Sequence, residues 1–352
     1  MLKLRRAVVT STEPLRVRVG DAEREAWADI GMVGEMREGD EVIVNTEARD
    51  LGLGSGGFDL VHVNLTRGLE APGAAGEQVL KLNYTSLQHP VEPVEDAVGE
   101  RRAIPVLVIP LHGHLAPAAW AAAQARAGLR VGFIQGAGGA LPGRLSRDAS
   151  RLRDLDMLCE HVTAGPAFGG EREAISMLGA LDAAAGTLGW EAAIVGPGPG
   201  ILGSASPFGH GGTAALDAVH AALALGLPTL LAPRLSSSDP RPRHRGLSHH
   251  SASVLELILG TVRVPVPEAE VEGWPLLDAQ APEGGSPQAA LDSLIEICGG
   301  RHDIAVERID LAGYADSGLP RTTMGRSIDE DPLFFAAALA AGRALAEAVP
   351  GA

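Results

Sequence analysis

The sequence predicts an α/β protein: a small N-terminal all-β, barrel-like module, then a doubly wound, mostly parallel sheet with helices on both faces. Three observations carry this. The first stretch of chain alternates Val-rich segments with turn residues. The rest rotates through continuous apolar strand, glycine-containing loop and helix, the pattern of a parallel sheet buried on both faces. With 352 residues and 45% apolar content, the chain is long enough for two domains.

In the module, residues 1–85, strands are expected at 4–10, 15–19, 24–30, 40–45, 58–65 and 78–84. A glycine-rich turn is expected at Gly52, Gly54, Gly56 and Gly57. Such modules commonly mount or oligomerise a larger body, which is the role expected here. Residues 86–105 carry Pro90, Pro93, Glu92, Glu95 and Asp96, a composition that suits a linker.

The α/β domain is expected over 106–352. Strands are expected at 106–110, 130–135, 160–164, 192–196, 228–232 and 262–266, with a later one at 304–309. Helices are expected at 116–127, 144–158, 171–188, 213–225 and 249–259, and a last one at 331–349 with Asp331 favouring its N-terminus.

A formal net charge of −15 argues against nucleic-acid and anionic-membrane partners, because both need a field that attracts phosphate. Only 3% aromatic residues leaves little for base stacking. No apolar run reaches the ~18–20 residues of a membrane span. The N-terminus MLKLRRAVV lacks an apolar export region, so a cytoplasmic location is expected. Cys159 and Cys298 show no metal-ligand spacing and are expected as free core thiols.

In an open parallel sheet, ligands bind beyond the carboxyl ends of the strands. Five polar, glycine-rich loops leave those ends: 112–117, 136–143, 164–171, 196–203 and 239–250. The fourth, GPGPGILG, supplies Gly196, Gly198, Gly200 and Gly203, and Gly198-x-Gly200-x-x-Gly203 formally matches a dinucleotide fingerprint. Pro197 and Pro199 remove two backbone donors, and no helix begins before about Thr213. The next strand ends in Arg234 and Ser236–Ser238 rather than an acid, which suits a phosphorylated ribose better than a bare one. A nucleotide site, a less specific anion cradle and a structural loop therefore stay open. Gly169 and Gly170 are candidate ligand contacts in the third loop.

The fifth loop, DPRPRHRGLSHH, gathers Arg241, Arg243 and Arg245 as candidate anion binders, with Ser248 beside them. Asp239, His244 and His249 are candidates for catalysis or for a divalent metal, offering carboxylate and imidazole ligands. Adjacent helical residues point about 100° apart, so His249 and His250 are not expected to share an ion. Alternatively, a histidine held neutral at a helix start serves acid–base chemistry. The plain alternative is that Ser248 caps the helix and the arginines are solvated.

Other chemistry lacks support. Gly246-Leu-Ser248-His-His lacks the second glycine of a nucleophile elbow, no Walker lysine follows a glycine loop, and no HExxH occurs. His112 and His114 alternate at a strand end, could face one side, and are expected as satisfied loop histidines.

The segments GDEVIVNTEARDLGLGSGGFDLVHVNL, TAGPAFGGEREA, GPGPGILG, DPRPRHRGLSHH and TMGRSIDEDPLFF together resemble the bacterial domain-of-unknown-function family numbered 3866. The resemblance covers most of the chain and implies no activity. Two functions are carried forward: an enzyme acting on a small anionic, potentially phosphorylated, metabolite, and a non-catalytic metabolite sensor or assembly protein. The cofactor is open between a divalent metal and a nucleotide, and a closed homo-oligomer is the expected assembly.

Overall fold

A computed structural model of the chain describes residues 1–53, 56–69, 79–97, 99–204, 206–268 and 285–351. Gly54 of the expected turn and residue 78 of the expected sixth strand lie outside the described residues. The chain divides into two compact units, Met1–Val91 and Glu92–Ala352.

In the first unit, β1 (Leu4–Thr12), β2 (Leu15–Val19), β3 (Ala22–Trp27), β4 (Glu41–Asn45) and β5 (Asp59–Asn64) close a barrel in the order β1-β2-β3-β5-β4. Every pairing is antiparallel except β3 with β5. Alternate residues fill the inside: Ala7 and Val9 from β1, Val42 and Val44 from β4, with Val17 and Val61. The strand expected to run to residue 30 stops at Trp27. There Asp29 accepts a hydrogen bond from the Gly31 N–H and caps a single helical turn, α1 (Ile30–Val33). A second short helix, α2 (Glu47–Asp50), follows β4. The sixth expected strand is reduced to β6 (Val79–Lys81), which pairs outside the barrel with β7 (His89–Val91) inside the stretch expected as linker.

The second unit is built on eight parallel strands in the order β11-β10-β9-β12-β8-β13-β16-β17. These are β8 (Val106–Val108), β9 (Val131–Gly136), β10 (Glu160–Ala164), β11 (Arg172–Ala174), β12 (Ala192–Pro197), β13 (Thr229–Leu231), β16 (Arg263–Pro267) and β17 (Asp303–Glu307). The two short strands β14 (Leu235–Ser236) and β15 (Gly246–Leu247) form a separate antiparallel ribbon.

Because a parallel strand is covered on both faces, its residues divide by alternation. Val106 and Val108 of β8 join one core with Val195 of β12, whereas Leu107 and Ile109 join the other with Ile194. The first core is roofed by α5 (Met177–Ala185), α6 (Ala214–Ala224), α7 (His249–Leu257) and α8 (Pro287–Cys298). The second is roofed by α3 (Leu115–Ala125), α4 (Arg147–Asp154), α9 (Leu311–Asp316) and α10 (Pro332–Glu347). β8 and β9 thus lead into helices on one face, and their neighbour β12 leads into a helix on the other. Neighbouring strands whose connections diverge open a crevice at their carboxyl ends.

The helix expected over 171–188 begins only at Met177. Arg172–Ala174 instead pairs with β10, and Ser176 caps the helix by accepting the Gly179 N–H. Helices α8 and α9 were not expected. Asp331 stands at the start of α10, but its carboxylate makes no bond to the helix; it takes Ser236, Ser237 and Arg326 instead. No described helix is long and apolar enough to cross a membrane.

Candidate functional site

The loop 237–245 is presented by the β14–β15 ribbon, directly after β13. Its support is Arg234, whose carbonyl accepts the Ser248 N–H at 2.9 Å and whose own N–H donates to Ser251 Oγ at 2.8 Å. Those two serines sit in the first turn of α7. Ser248 is the cap, accepting the His250 N–H at 3.3 Å, and its hydroxyl also bonds His244 Nδ1 at 2.7 Å. Ser248 therefore positions the loop on the helix.

Four histidines meet here. The rings of His249 and His250 lie 4.4 Å apart by centroid, and each stands 3.7 to 5.6 Å from those of His210 and His244. His210 arrives from a small loop hairpin after β12, in which Gly203 bridges His210 and the Gly211 N–H donates to the Leu202 carbonyl. Its Nε2 lies 2.9 Å from the Pro207 carbonyl oxygen. A carbonyl only accepts, so Nε2 carries the proton and Nδ1 presents a lone pair. That Nδ1 and Nε2 of His249 are buried without a hydrogen-bond partner among the described residues.

One ligand atom from each of His210, His249 and His250 lies within 4.8 Å of the other two. The trio that converges is thus not the expected Asp239, His244 and His249. The argument that His249 and His250 diverge around the helix is overturned: they occupy its first two positions, and their rings turn back toward His210, with centroids 4.4 Å apart. Burial, with arginines and neighbouring histidines adding to it, lowers all four imidazoles: His250 to about 2, His244 to about 3, and His210 and His249 below their ordinary value. Neutral imidazole is the form that ligates metal.

Asp239 serves a different purpose. It is fully buried, and its Oδ2 accepts from Arg241 Nη2 at 2.8 Å and Arg234 Nη2 at 3.2 Å, while Arg326 Nη2 stands 3.4 Å away as an ion pair only. Burial works to raise its carboxyl, but the Arg241 hydrogen bonds and the surrounding guanidiniums outweigh it and hold it well below the usual carboxylate range. Arg245 donates to the Asp239 carbonyl and so braces the loop, while Arg243 is exposed.

The glycines are mostly spent on packing. A Cβ at Gly198 would strike the Ala140 carbonyl, one at Gly196 would strike Ile109, and one at Gly211 would strike the Gly138 carbonyl. The second and fourth loops therefore lock backbone to backbone, and Gly200 supplies a left-handed turn at φ 71°. Gly170 abuts the β10 backbone and Gly169 donates to Glu173. Gly203 differs, since a Cβ there would lie 3.7 Å from His210 and 3.9 Å from the His250 ring. Gly212 is closer still, 3.0 Å from His210 Nδ1.

A hollow of about 150 Å3 lies beside this region, lined by the carboxyl ends of β8, β9, β10 and β12 and the first turn of α6. Its walls are apolar, including Val108, Ile109, Met177 and Val195, and none of the four histidines lines it. The polar chemistry lies instead at the histidine cluster and the arginines beside it. His112 and His114 part company, because they lie in a tight turn rather than a strand. His112 is satisfied by the Pro197 carbonyl and Ser146 Oγ, whereas neither ring nitrogen of buried His114 has a hydrogen-bond partner among the described residues.

Sequence reasoning missed His210 and Gly212, although the segment Phe208-Gly-His-Gly-Gly between a strand and a helix marks them. It also passed over Arg326 in the TMGRS segment.

The architecture and this cluster define a doubly wound α/β protein with neutral histidines converging beyond the carboxyl edge of its sheet. The chain belongs to the family described as Protein of unknown function (DUF3866), whose model matches residues 25–342. Neither the curated proteins nor the solved structures contain a match to it.

Proposed function

We propose that this protein is a metal-dependent enzyme acting on a small anionic metabolite, with His210, His249 and His250 holding a divalent ion. The observation that carries this is their convergence, with His210 Nδ1 and His249 Nε2 buried and unmatched among the described residues. Imidazole-only ligation suits zinc or a neighbouring transition metal rather than magnesium or calcium, which prefer oxygen. The ligand atoms of the three histidines, within 4.8 Å of one another, would have to draw closer to hold one ion together. The three imidazoles would hold the ion, and the ion would supply Lewis-acid activation of a water or of the substrate. The Pro207 carbonyl fixes the His210 tautomer, as such carbonyls do around metal sites. His244, held by Ser248 and 4.9 Å from the His249 ring, would stand beside the ion as a neutral hydrogen-bonding group.

A binding protein without turnover is the second reading. It is favoured by the low exposure of His210 and His250, at 5% and 6%, which shields an ion from solvent. In either case a homo-oligomer is proposed, supported by Leu51, Leu53 and Leu60 standing exposed on the first unit.

Native mass spectrometry after zinc loading tests the metal, and a panel of small phosphate esters and carboxylates tests turnover. One zinc per chain with zinc-dependent turnover of a panel member supports the enzyme. Zinc without turnover favours the binding reading, and no retained metal sinks both as metal proteins.

A further inference from the structure

Three guanidiniums surround two carboxylates beside the histidines, leaving one surplus positive charge. Arg234, Arg241 and Arg326 share Asp239 Oδ2, and Arg326 alone reaches Asp331, 2.9 Å from its Nε. Asp331 is otherwise spent on Ser236 and Ser237. Arg234 is 2% exposed and Arg326 12%, whereas Arg241 is 43% exposed, so the buried part of this positive charge lies on Arg234 and Arg326. Arg234 Nη2 bonds Asp239 and Met324 Sδ, while its Nε has no hydrogen-bond partner among the described residues. Arg326 Nη2 lies 3.4 Å from Asp239 Oδ2 but is not aligned to donate to it, and it too is unmatched, as is the buried hydroxyl oxygen of Ser238.

Burying charged donors without acceptors is costly enough that native proteins pair them. The unspent donors belong to the two arginines that flank Asp239 and to the serine that precedes it in the chain, and they are what an oxyanion would satisfy. A planar guanidinium fork is also the geometry that recognises carboxylate and phosphate.

We infer that Arg234 and Arg326, with Ser238, form an oxyanion subsite that holds the carboxylate or phosphate group of the substrate beside the histidine cluster. The inference rests on the proposed function for its catalytic meaning, but not for the binding itself. Proximity to the histidines comes through the backbone: Arg234 is pinned by Ser248 and Ser251, which bracket His249 and His250 in the sequence. The subsite thereby selects small anionic metabolites, and the assignment moves anion recognition away from the more exposed Arg241, Arg243 and Arg245. The short hairpin Thr322–Thr323 and Arg326–Ser327 brings Arg326 to the cluster and, at its tip, Met324 against the Arg234 guanidinium.

Calorimetric titration of the full-length protein with inorganic phosphate, and separately with acetate, tests this in EDTA-treated and zinc-loaded protein at fixed ionic strength. Saturable one-site binding of at least one anion is expected with or without zinc. Arg326→Gln should weaken it by at least about tenfold while leaving the folded circular-dichroism spectrum and zinc stoichiometry unchanged. Arg243→Gln, on the exposed part of the loop, should leave it within about twofold. Because Arg234→Gln risks the fold, Ser238→Ala provides the second variant, with a smaller loss expected. Anion binding without zinc binding would keep this subsite and remove the metal reading. Zinc binding with no saturable anion, or an Arg326→Gln variant that binds as well as the parent, would overturn the subsite.

Discussion

His210 and His250 stack face to face, with ring centroids 3.7 Å apart and planes 9° from parallel. Two imidazolium rings would repel at that distance, so the contact is compatible with the neutral rings that burial enforces. The stack brings together two of the proposed ligands from different elements, one from the loop before α6 and one from α7. His249→Ala and His250→Ala should each reduce zinc from one per chain to a substoichiometric amount by native mass spectrometry, whereas His244→Ala should retain it. Loss of zinc in His244→Ala with retention in His250→Ala would instead restore the trio expected from sequence.

Buried neutral histidines also set the response to acid. His114 is held near 3 by burial and the Arg234 charge, and His161 near 4 by burial and the proximity of His112. Each is lowered from an unfolded value of about 6.5, so the unfolded chain gains the proton first. Their contribution is complete above about pH 6.5 and is lost as pH falls toward each folded value, at up to about 1.4 kcal/mol per pH unit per histidine. Urea unfolding between pH 7 and 5 should show this slope, and His161→Leu should flatten it by close to one proton; an unchanged slope would place the proton uptake elsewhere.

The glycine loops give a third expectation. Gly198→Ala and Gly211→Ala drive a methyl into the Ala140 and Gly138 carbonyls, so each should cost about 1–3 kcal/mol by overpacking. Gly203→Ala has room and should be nearly neutral for stability. Denaturant midpoints measure all three. Equal stability of all three variants would mean that the two loops do not lock as described.

The strand–helix rotation was legible because a doubly buried strand must be continuously apolar: 192–196, Ala-Ala-Ile-Val-Gly, was expected and is found as Ala192–Pro197. The Arg/His loop was legible as a place but not as an arrangement. Asp239 looks like a ligand in sequence because nothing there shows Arg326, far along the chain, arriving on the same carboxylate. His210 was hidden for the same reason, since it is a lone histidine until the fold stacks it on His250. The fingerprint glycines misled because close backbone approach serves loop–loop packing as readily as it serves a phosphate. In the helix expected over 171–188, local periodicity lost to a tertiary pairing, that of Arg172–Ala174 with β10.

The barrel unit carries its own acid-sensitive tie. Asp40 is buried and accepts from Arg67, Asn64 and the Arg37 N–H. The Arg67 hydrogen bonds hold its carboxyl down to about 2. Its stabilisation is therefore present above the unfolded value near 3.9 and lost as pH falls through about 2, the usual carboxylate direction. Arg67→Ala should lower barrel stability at pH 7, by an amount that solvent around the partly exposed guanidinium keeps modest. The difference should shrink between pH 4 and pH 2 in thermal melts of the full chain.

The helix α10 is buried along nearly its whole length, and at Gly342 it comes so close to Ala118 of α3 that no side chain fits between them. This roof over the second core lies far along the sequence from the strands that it covers. Without it, Leu107, Ile109 and Phe133 would lose part of their cover. The second core therefore depends on contacts between segments distant in sequence, the kind that are slow to form.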